Sequence, residues 1–348
     1  MTLLDRLVNV KISISTAVPD STSFNYLLIV GAAPIQAPEE APPDIGVYYS
    51  LDDVTNAGWK LADDNVAKAA YVAFANGADK IYIAVRKSPA STPEGIDVTL
   101  TRALSVDGWY GIALVDEKEG DISAASEWTE TQEKVFCFAT TETTNPAGTQ
   151  AMRSVGMYTD STGYNPFIHV AVLAKCLGYD AGSETWAYKT LAQITPVTLT
   201  NAQIDTLDGQ NLNYYLACAG RNITLTGKVC GGEWIDTIRF RDWLHNDMQK
   251  RIYSLLCSSA KVPYTNAGIA LIENQMISSL KQGQLQGGIA ETEYDSDGNE
   301  VAGFTVTVPN AVDVPDTDKA TRTLNNCKFT ARLAGAIHLV KISGVLTT

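Results

Sequence analysis

Both ends of the chain carry strand patterns with no partner strand nearby in the sequence. Apolar side chains alternate with polar ones at Val8, Val10, Ile12 and Ile14, a period of two. Residues 337–346 are again apolar and β-branched, and their apolar positions include Ile337, Leu339, Val340, Ile342 and Val345. A terminal strand needs a sheet to satisfy its backbone groups, in its own subunit or in another. Two such ends indicate assembly by strand exchange.

Between these ends, strand and helix patterns alternate from residue 21 to about residue 222. The patterns predict strands at 26–31, 81–85, 109–115, 135–139 and 214–218, and helices at 64–76, 98–106, 122–131 and 166–177. The stretch 223–226, just beyond this run, is also read as a strand. The segment 33–44 contains four prolines and predicts a loop. Gly77 is suited to end the helix that precedes it. This alternation predicts an α/β layered domain.

The pattern changes near Thr226, and the rest of the chain predicts an α+β unit. A long helix is predicted at 234–256, where apolar residues recur every three or four positions and a polar face carries Arg239 and Asp242. A second helix begins at Thr265 or Asn266, both good helix caps, and ends in the Gly-rich segment 283–288. A hairpin turn is predicted at 295–300, between strands at 291–294 and 301–308. Further strands are predicted at 324–332 and 337–346, and segments 140–149 and 309–318 read as loops.

Composition and charge narrow the possible functions. The chain has 348 residues, of which 45% are hydrophobic and 19% charged, so it can bury a large core and also some surface between subunits. Its formal net charge of −13 is unfavourable for binding nucleic acid through phosphate contacts. The six cysteines are scattered, with no CxxC spacing, as expected for free thiols in a reducing compartment. No signal peptide or membrane-length segment is visible, so synthesis in the cytosol is expected.

No motif for catalysis, metal binding or cofactor binding stands out. Gly31 follows a buried strand, but the GxGxxG fingerprint of a dinucleotide site is absent. The stretch 220–228 lacks phosphate-loop spacing, and the three histidines lack zinc-ligand spacing. Acidic residues alternate at 295–300, but the span is too short for a calcium loop. We therefore expect no cofactor and a structural rather than catalytic protein. The alternative is an α/β enzyme or small-molecule-binding domain with an unrecognised site.

The last third of the chain resembles the tail sheath proteins of contractile phage tails and R-type bacteriocins. The resemblance is carried by Gly227-Lys228, Gly232-Glu233-Trp234-Ile235-Asp236, Ile238-Arg239, Asp242-Trp243-Leu244, Met248-Gln249, Pro263-Tyr264-Thr265, Gly268-Ile269, Gly287-Gly288-Ile289-Ala290 and the run from Phe329 to His338. It is strongest over 226–348 and weaker towards the N-terminus. These motifs are structural, so they indicate a family and no catalytic site.

The resemblance implies a subunit that polymerises as stacked six-fold rings around an inner tube and contracts to drive the tube through a target envelope. It implies an N-terminal arm at 1–20, an outer α/β domain at 21–222, an inner domain at 223–336 and a C-terminal arm at 337–348. The outer domain would be inserted into an inner core formed by the chain ends and the C-terminal third. The arms would complete the sheets of neighbouring subunits by strand addition.

The same resemblance implies the partners and the place of assembly. The partners are other copies of the chain, the inner tail tube protein, and baseplate and tail terminator proteins, with no nucleic acid and no membrane insertion. Assembly would occur in the host bacterial cytoplasm, before the subunit becomes part of a phage tail or a released bacteriocin. The family contacts its tube through basic residues of the C-terminal domain, for which the candidates are Lys250, Arg251, Lys281, Lys319 and Arg322. A different self-assembling shell protein is a third interpretation.

Overall fold

The computed structural model describes residues 24–36, 38, 40–88 and 92–345. The predicted N-terminal strand, with Val8, Val10, Ile12 and Ile14, lies outside these residues. The first part of the described chain folds around an eight-stranded sheet with the order β2-β3-β1-β4-β5-β6-β7-β8. Its strands are β1 (Leu27–Ala32), β2 (Ile45–Tyr48), β3 (Ile81–Arg86), β4 (Gly111–Leu114), β5 (Val135–Thr140), β6 (Ser154–Tyr158), β7 (Asn213–Cys218) and β8 (Arg221–Leu225).

The six central strands of this sheet are parallel, and the two outer strands run antiparallel to their neighbours. Parallel strands need crossover connections, and helices supply them on both faces. The helices of this part are α1 (Leu51–Asn56), α2 (Asn65–Ala75), α3 (Ile96–Ala103), α4 (Asp121–Glu130), α5 (Ile168–Leu177) and α6 (Asn201–Gly209). The predicted α/β layered domain is therefore confirmed.

Two apolar clusters, one on each face of the sheet, make up the core of this part. One cluster contains buried residues of α1, α2 and α5, and the other contains buried residues of α3, α4 and α6. Gly31 at the end of β1 permits close packing, because a Cβ atom there would lie 2.5 Å from the side chains of Val66 and Val115. Gly77, at φ +97°, ends the turn after α2 as predicted.

The remainder of the described chain is built on two long helices. These are α7 (Ile235–Ser258) and α8 (Asn266–Leu285), which pack on each other around Phe240, Leu244, Met248, Met276 and Leu280. Thr265 caps α8, as its position in the sequence suggested, by accepting a hydrogen bond from Gly268 N. The hairpin of β9 (Glu293–Tyr294) and β10 (Glu300–Val301) follows, then β11 (Phe304–Thr307), the short helix α9 (Asp316–Ala320) and β12 (Lys328–Ala331).

Two of the sequence predictions for this region are wrong. The strand expected at 301–308 is two separate strands: β10 pairs with β9, whereas β11 pairs with the distant β12. The loop expected at 309–318 ends in α9, which begins directly after Pro315 at the N-cap position. Residues 337–345 form no strand in the single chain, although strand pairing with a second chain is left as a prediction.

Candidate functional site

The C-terminal segment 337–345 is the most exposed apolar part of the described chain. Its apolar side chains are 67–90% exposed, and they are Ile337, Leu339, Val340, Ile342 and Val345. In the described structure one hydrogen bond reaches the backbone of this segment, from the Tyr188 hydroxyl to the His338 carbonyl oxygen. Apolar side chains and unpaired backbone groups are the two properties that a strand needs before it is added to another sheet.

His338 ties this segment to the body of the protein. Its Nε2 lies 2.8 Å from Thr185 Oγ1, and the imidazole makes edge contacts with Tyr188 and Trp234 at centroid distances of 5.6 Å and 4.7 Å. Burial, together with the nearby Lys189, lowers the pKa of His338, so the neutral imidazole is favoured there. We call His338 with Thr185, Tyr188 and Trp234 the His338 clasp.

Strands β11 and β12 form an antiparallel sheet of two strands. Phe304, Val306, Phe329 and Ala331 face the core of the two long helices, and the other face is exposed. Within the described residues, each strand has one edge with no strand partner. A two-stranded sheet is marginally stable on its own, so additional strands would stabilise it.

A buried charged stripe joins α7 to the sheet. We use this name for Arg239, Asp242 and His245, which follow one another at three-residue spacing and are all buried. Arg239 Nη1 lies 2.5 Å from Glu184 Oε1, Arg153 Nη1 lies 2.7 Å from Asp242 Oδ2, and His245 Nδ1 lies 2.6 Å from Glu133 Oε1. The predicted polar face of this helix therefore lies partly inside the protein, and the prediction is wrong for Arg239 and Asp242.

Further hydrogen bonds complete the stripe. Tyr110 donates to Asp242 at 2.8 Å, and burial followed by the Asp242 charge raises the pKa of Tyr110. Burial disfavours the charge on Arg153, but the charge and hydrogen bonds of Asp242, together with Tyr110 and Glu133, outweigh burial and raise the pKa of Arg153. Arg239 also donates to the carbonyl oxygens of Phe24, Cys176, Leu177 and Tyr179. The sequence signal for this stripe was the regular spacing of charged residues on one helix face.

The predicted tube-contact residues lie on different elements. Lys250 and Arg251 lie in the second half of α7, Lys281 in α8, Lys319 in α9, and Arg322 just after α9. Arg251 pairs with Asp247 at 2.6 Å and Lys319 with Asp316 at 3.6 Å. Among the described residues, Lys250, Lys281 and Arg322 form no ion pair. Their role in tube contact stays a prediction.

A crevice of about 670 Å³ opens at the carboxyl ends of the central strands, where an α/β enzyme would bind its ligand. Its polar residues hold the fold together: Asp116 accepts from Asn65 Nδ2 at 2.7 Å, and His169 Nε2 lies 2.8 Å from the Leu114 oxygen. Burial lowers the pKa of His169 to about 4. In the part of the chain that the structure describes, no three metal-ligating side chains cluster and no helix suits a membrane span.

Comparison with known proteins places these features in context. Residues 235–346 match the family model described as "E217 tail sheath protein gp31-like, C-terminal domain". This match covers Arg239, Asp242 and His245 of the buried charged stripe, the two-stranded sheet and the whole C-terminal segment 337–345. A search of curated proteins finds no match by sequence.

Solved structures with the same fold are also sheath proteins. The contracted helical sheath of the anti-feeding prophage matches with a TM-score of 0.71 at 15% identity, over 97% of this chain and 98% of that chain. The contracted PVC sheath of an extracellular contractile injection system matches with a TM-score of 0.67 at 14% identity, over 97% of this chain and 96% of that chain. A sheath tail protein of Listeria innocua matches with a TM-score of 0.56 at 12% identity, over 86% of this chain and 90% of that chain. The predicted resemblance to contractile sheath proteins is confirmed, and the fold is theirs.

Proposed function

We propose that this chain is the subunit of a contractile tail sheath, which stacks as six-fold rings around an inner tube and contracts to drive that tube through a target envelope. The observation that carries the proposal is the exposed apolar segment 337–345, which lies wholly within the stretch that matches the sheath family model. The fold shared with contracted sheaths over nearly the whole chain adds support.

Strand addition is the proposed link between subunits. The free edges of the β11–β12 sheet are the proposed acceptors, because the sheet has two strands and buries one face. Each ladder hydrogen bond gained contributes a net ~0.5–1.5 kcal/mol, and buried apolar surface contributes ~25 cal/mol per Å². Such a link holds neighbours together while their globular surfaces change partners, which contraction requires.

Within each subunit, the buried charged stripe is proposed to keep α7 fixed on the sheet while the subunit moves as one body. Its charges are paired at 2.5–2.7 Å, and removing either partner would leave a buried charge uncompensated. The proposed partners are further copies of the chain, the inner tail tube, and baseplate and terminator proteins. The proposed tube contacts are the basic residues on α7, on α8, on α9 and just after α9, namely Lys250, Arg251, Lys281, Lys319 and Arg322.

Deletion of the two arms tests the proposal. We expect purified full-length protein to form tubes visible by negative-stain electron microscopy. A variant without residues 1–16 and a variant without 337–348 should each stay folded, with unchanged far-ultraviolet circular dichroism, but remain monomeric in analytical ultracentrifugation. Tubes formed by both truncated variants would show that the arms do not link the subunits.

A further inference from the structure

We propose that the His338 clasp sets the pivot of the C-terminal arm, so that residues up to 338 stay with their own subunit and 339–345 bind a second copy of this chain. This inference rests on the proposed function and adds to it the position at which the arm leaves its subunit. The clasp is the last point at which the described chain is held by its own body.

The path of the chain before the clasp is fixed at several points. Ile289 and Leu333 form a bridge, and Ala334 N donates to the Gly288 carbonyl oxygen at 3.1 Å. Gly335 then turns the chain with φ +65°. Three residues later, His338 meets Thr185 and Tyr188 of the loop that follows α5, and Trp234 at the start of α7. The clasp therefore joins the end of the chain to both parts of the fold.

The residues after the clasp are exposed, and no backbone hydrogen bond holds them to the rest of the described structure. Leu339, Val340, Ile342 and Val345 are 67–90% exposed, and no described residue donates to or accepts from their backbone. An extended strand rises ~3.3 Å per residue, so the seven residues from 339 to 345 reach roughly 23 Å beyond the clasp. Without the clasp, the free segment would begin after Ala334 and would reach roughly 36 Å.

This shorter free segment has a thermodynamic consequence. A short tether confines the arm to a smaller volume and raises its effective concentration near a correctly placed acceptor. A fixed exit direction also lowers the conformational entropy lost when the strand is added. The clasp should therefore speed assembly and fix which neighbour the arm can reach, without itself contacting that neighbour.

The side chains of the clasp suggest graded variants. His338→Ala removes both ring contacts and the Thr185 hydrogen bond, whereas Tyr188→Phe removes only the donor to the His338 carbonyl oxygen. Tyr294→Phe is the matched control, since Tyr294 is a 70% exposed tyrosine on the β9–β10 hairpin. Removal of residues 339–348 serves as the reference for complete loss of the arm.

The experiment measures tube formation by light scattering and electron microscopy. Release of the clasp is followed in the monomer by the change in total tryptophan emission, to which Trp234 and five other tryptophans contribute. We expect His338→Ala to fold normally, to change tryptophan emission and to assemble about twofold more slowly, because effective concentration falls roughly as the −3/2 power of tether length and the free segment grows from seven to eleven residues. Tyr188→Phe should lie between His338→Ala and wild type, and Tyr294→Phe should match wild type. If His338→Ala does not fold, the assembly rates of Tyr188→Phe and Tyr294→Phe are compared. Slower assembly of Tyr188→Phe supports the pivot, and equal rates overturn it.

The possible failures are distinguishable. If both clasp variants assemble at the wild-type rate while the 339–348 deletion forms no tubes, the pivot is overturned. The sheath proposal would stay intact in that case. Tubes formed by the deletion variant itself would overturn the use of the arm as an inter-subunit link, on which this inference rests.

Discussion

At the scale of single residues, the buried Arg239 side chain forms hydrogen bonds with several separate segments of the chain. Its guanidinium pairs with the fully buried Glu184 and donates to carbonyl oxygens near the end of α5. Cys176 and Leu177 are the last residues of α5, where carbonyl oxygens lack the usual N–H partner four residues on, and the Cys176 oxygen also accepts from Tyr179 N. The arginine therefore completes the C-terminal cap of α5 from another element. Arg239 therefore satisfies a helix end and neutralises a carboxylate at the same time.

Replacing Arg239 by Met should destabilise the protein by about 3–5 kcal/mol, because Glu184 would be left buried without its partner. The double variant Arg239→Met with Glu184→Gln should recover part of that loss. Arg251→Met on the same helix is the control, since its pair with Asp247 is partly exposed and should be worth less than ~1 kcal/mol. Urea unfolding measures all three, and equal losses for Arg239→Met and Arg251→Met would contradict the argument.

At the scale of secondary-structure elements, the sequence was informative where the hydrophobic pattern was long or strong. The helices α2, α7 and α8 and the buried strands β1, β3 and β5 were predicted close to their observed bounds. Strands β2 and β6 are short, contain a glycine and were not predicted, whereas β4, which is equally short and also contains a glycine, was predicted within 109–115. Helix α6 was missed although Thr200 and Gln203 form a capping box, a signal that the sequence contained.

The candidate site was predictable only in part, for a physical reason. The apolar, β-branched composition of 337–346 identified the C-terminal arm, because strand propensity is a local property of the sequence. The clasp joins Thr185 to His338, which lie 153 positions apart, and the stripe joins Arg153 to Asp242, which lie 89 apart. A single sequence carries no record of such long-range pairs until the topology of the fold is known.

The junction between the two parts of the fold gives a prediction for Gly288. A Cβ atom at Gly288 would lie 2.3 Å from the Phe240 ring, and Gly182 packs against the same ring. Gly288→Ala should therefore cost about 1–3 kcal/mol through overpacking. Gly209→Ala is the matched control: it ends α6 with open space around it and should stabilise by ~0.5–1 kcal/mol. The midpoint temperature of thermal unfolding should fall for Gly288→Ala and rise for Gly209→Ala. A shift in the same direction for both variants would contradict this account of the junction.

At the scale of the whole molecule, the net charge of −13 opposes the association of identical subunits. Many acidic side chains are exposed, including Glu291, Glu293 and Asp297 on the β9–β10 hairpin and its flank. The proposed arm, in contrast, carries exposed apolar side chains and one lysine, Lys341. Association would then balance long-range repulsion between whole subunits against short-range burial of the arm, and salt weakens only the repulsion.

Assembly should therefore accelerate when salt is added. Raising ionic strength from about 0.01 M to about 0.15 M shortens the Debye length from ~30 Å to ~8 Å, which screens repulsion between subunits but leaves arm burial unchanged. Light scattering should show faster tube growth at the higher salt. A variant with Glu291→Gln and Asp297→Gln, two acidic residues for which no ion pair is formed within the described structure, should grow faster at low salt and respond less to added salt. Slower growth at high salt would instead mean that complementary charges at the subunit contacts outweigh the overall repulsion, and it would direct attention to the basic residues of α7 and α8.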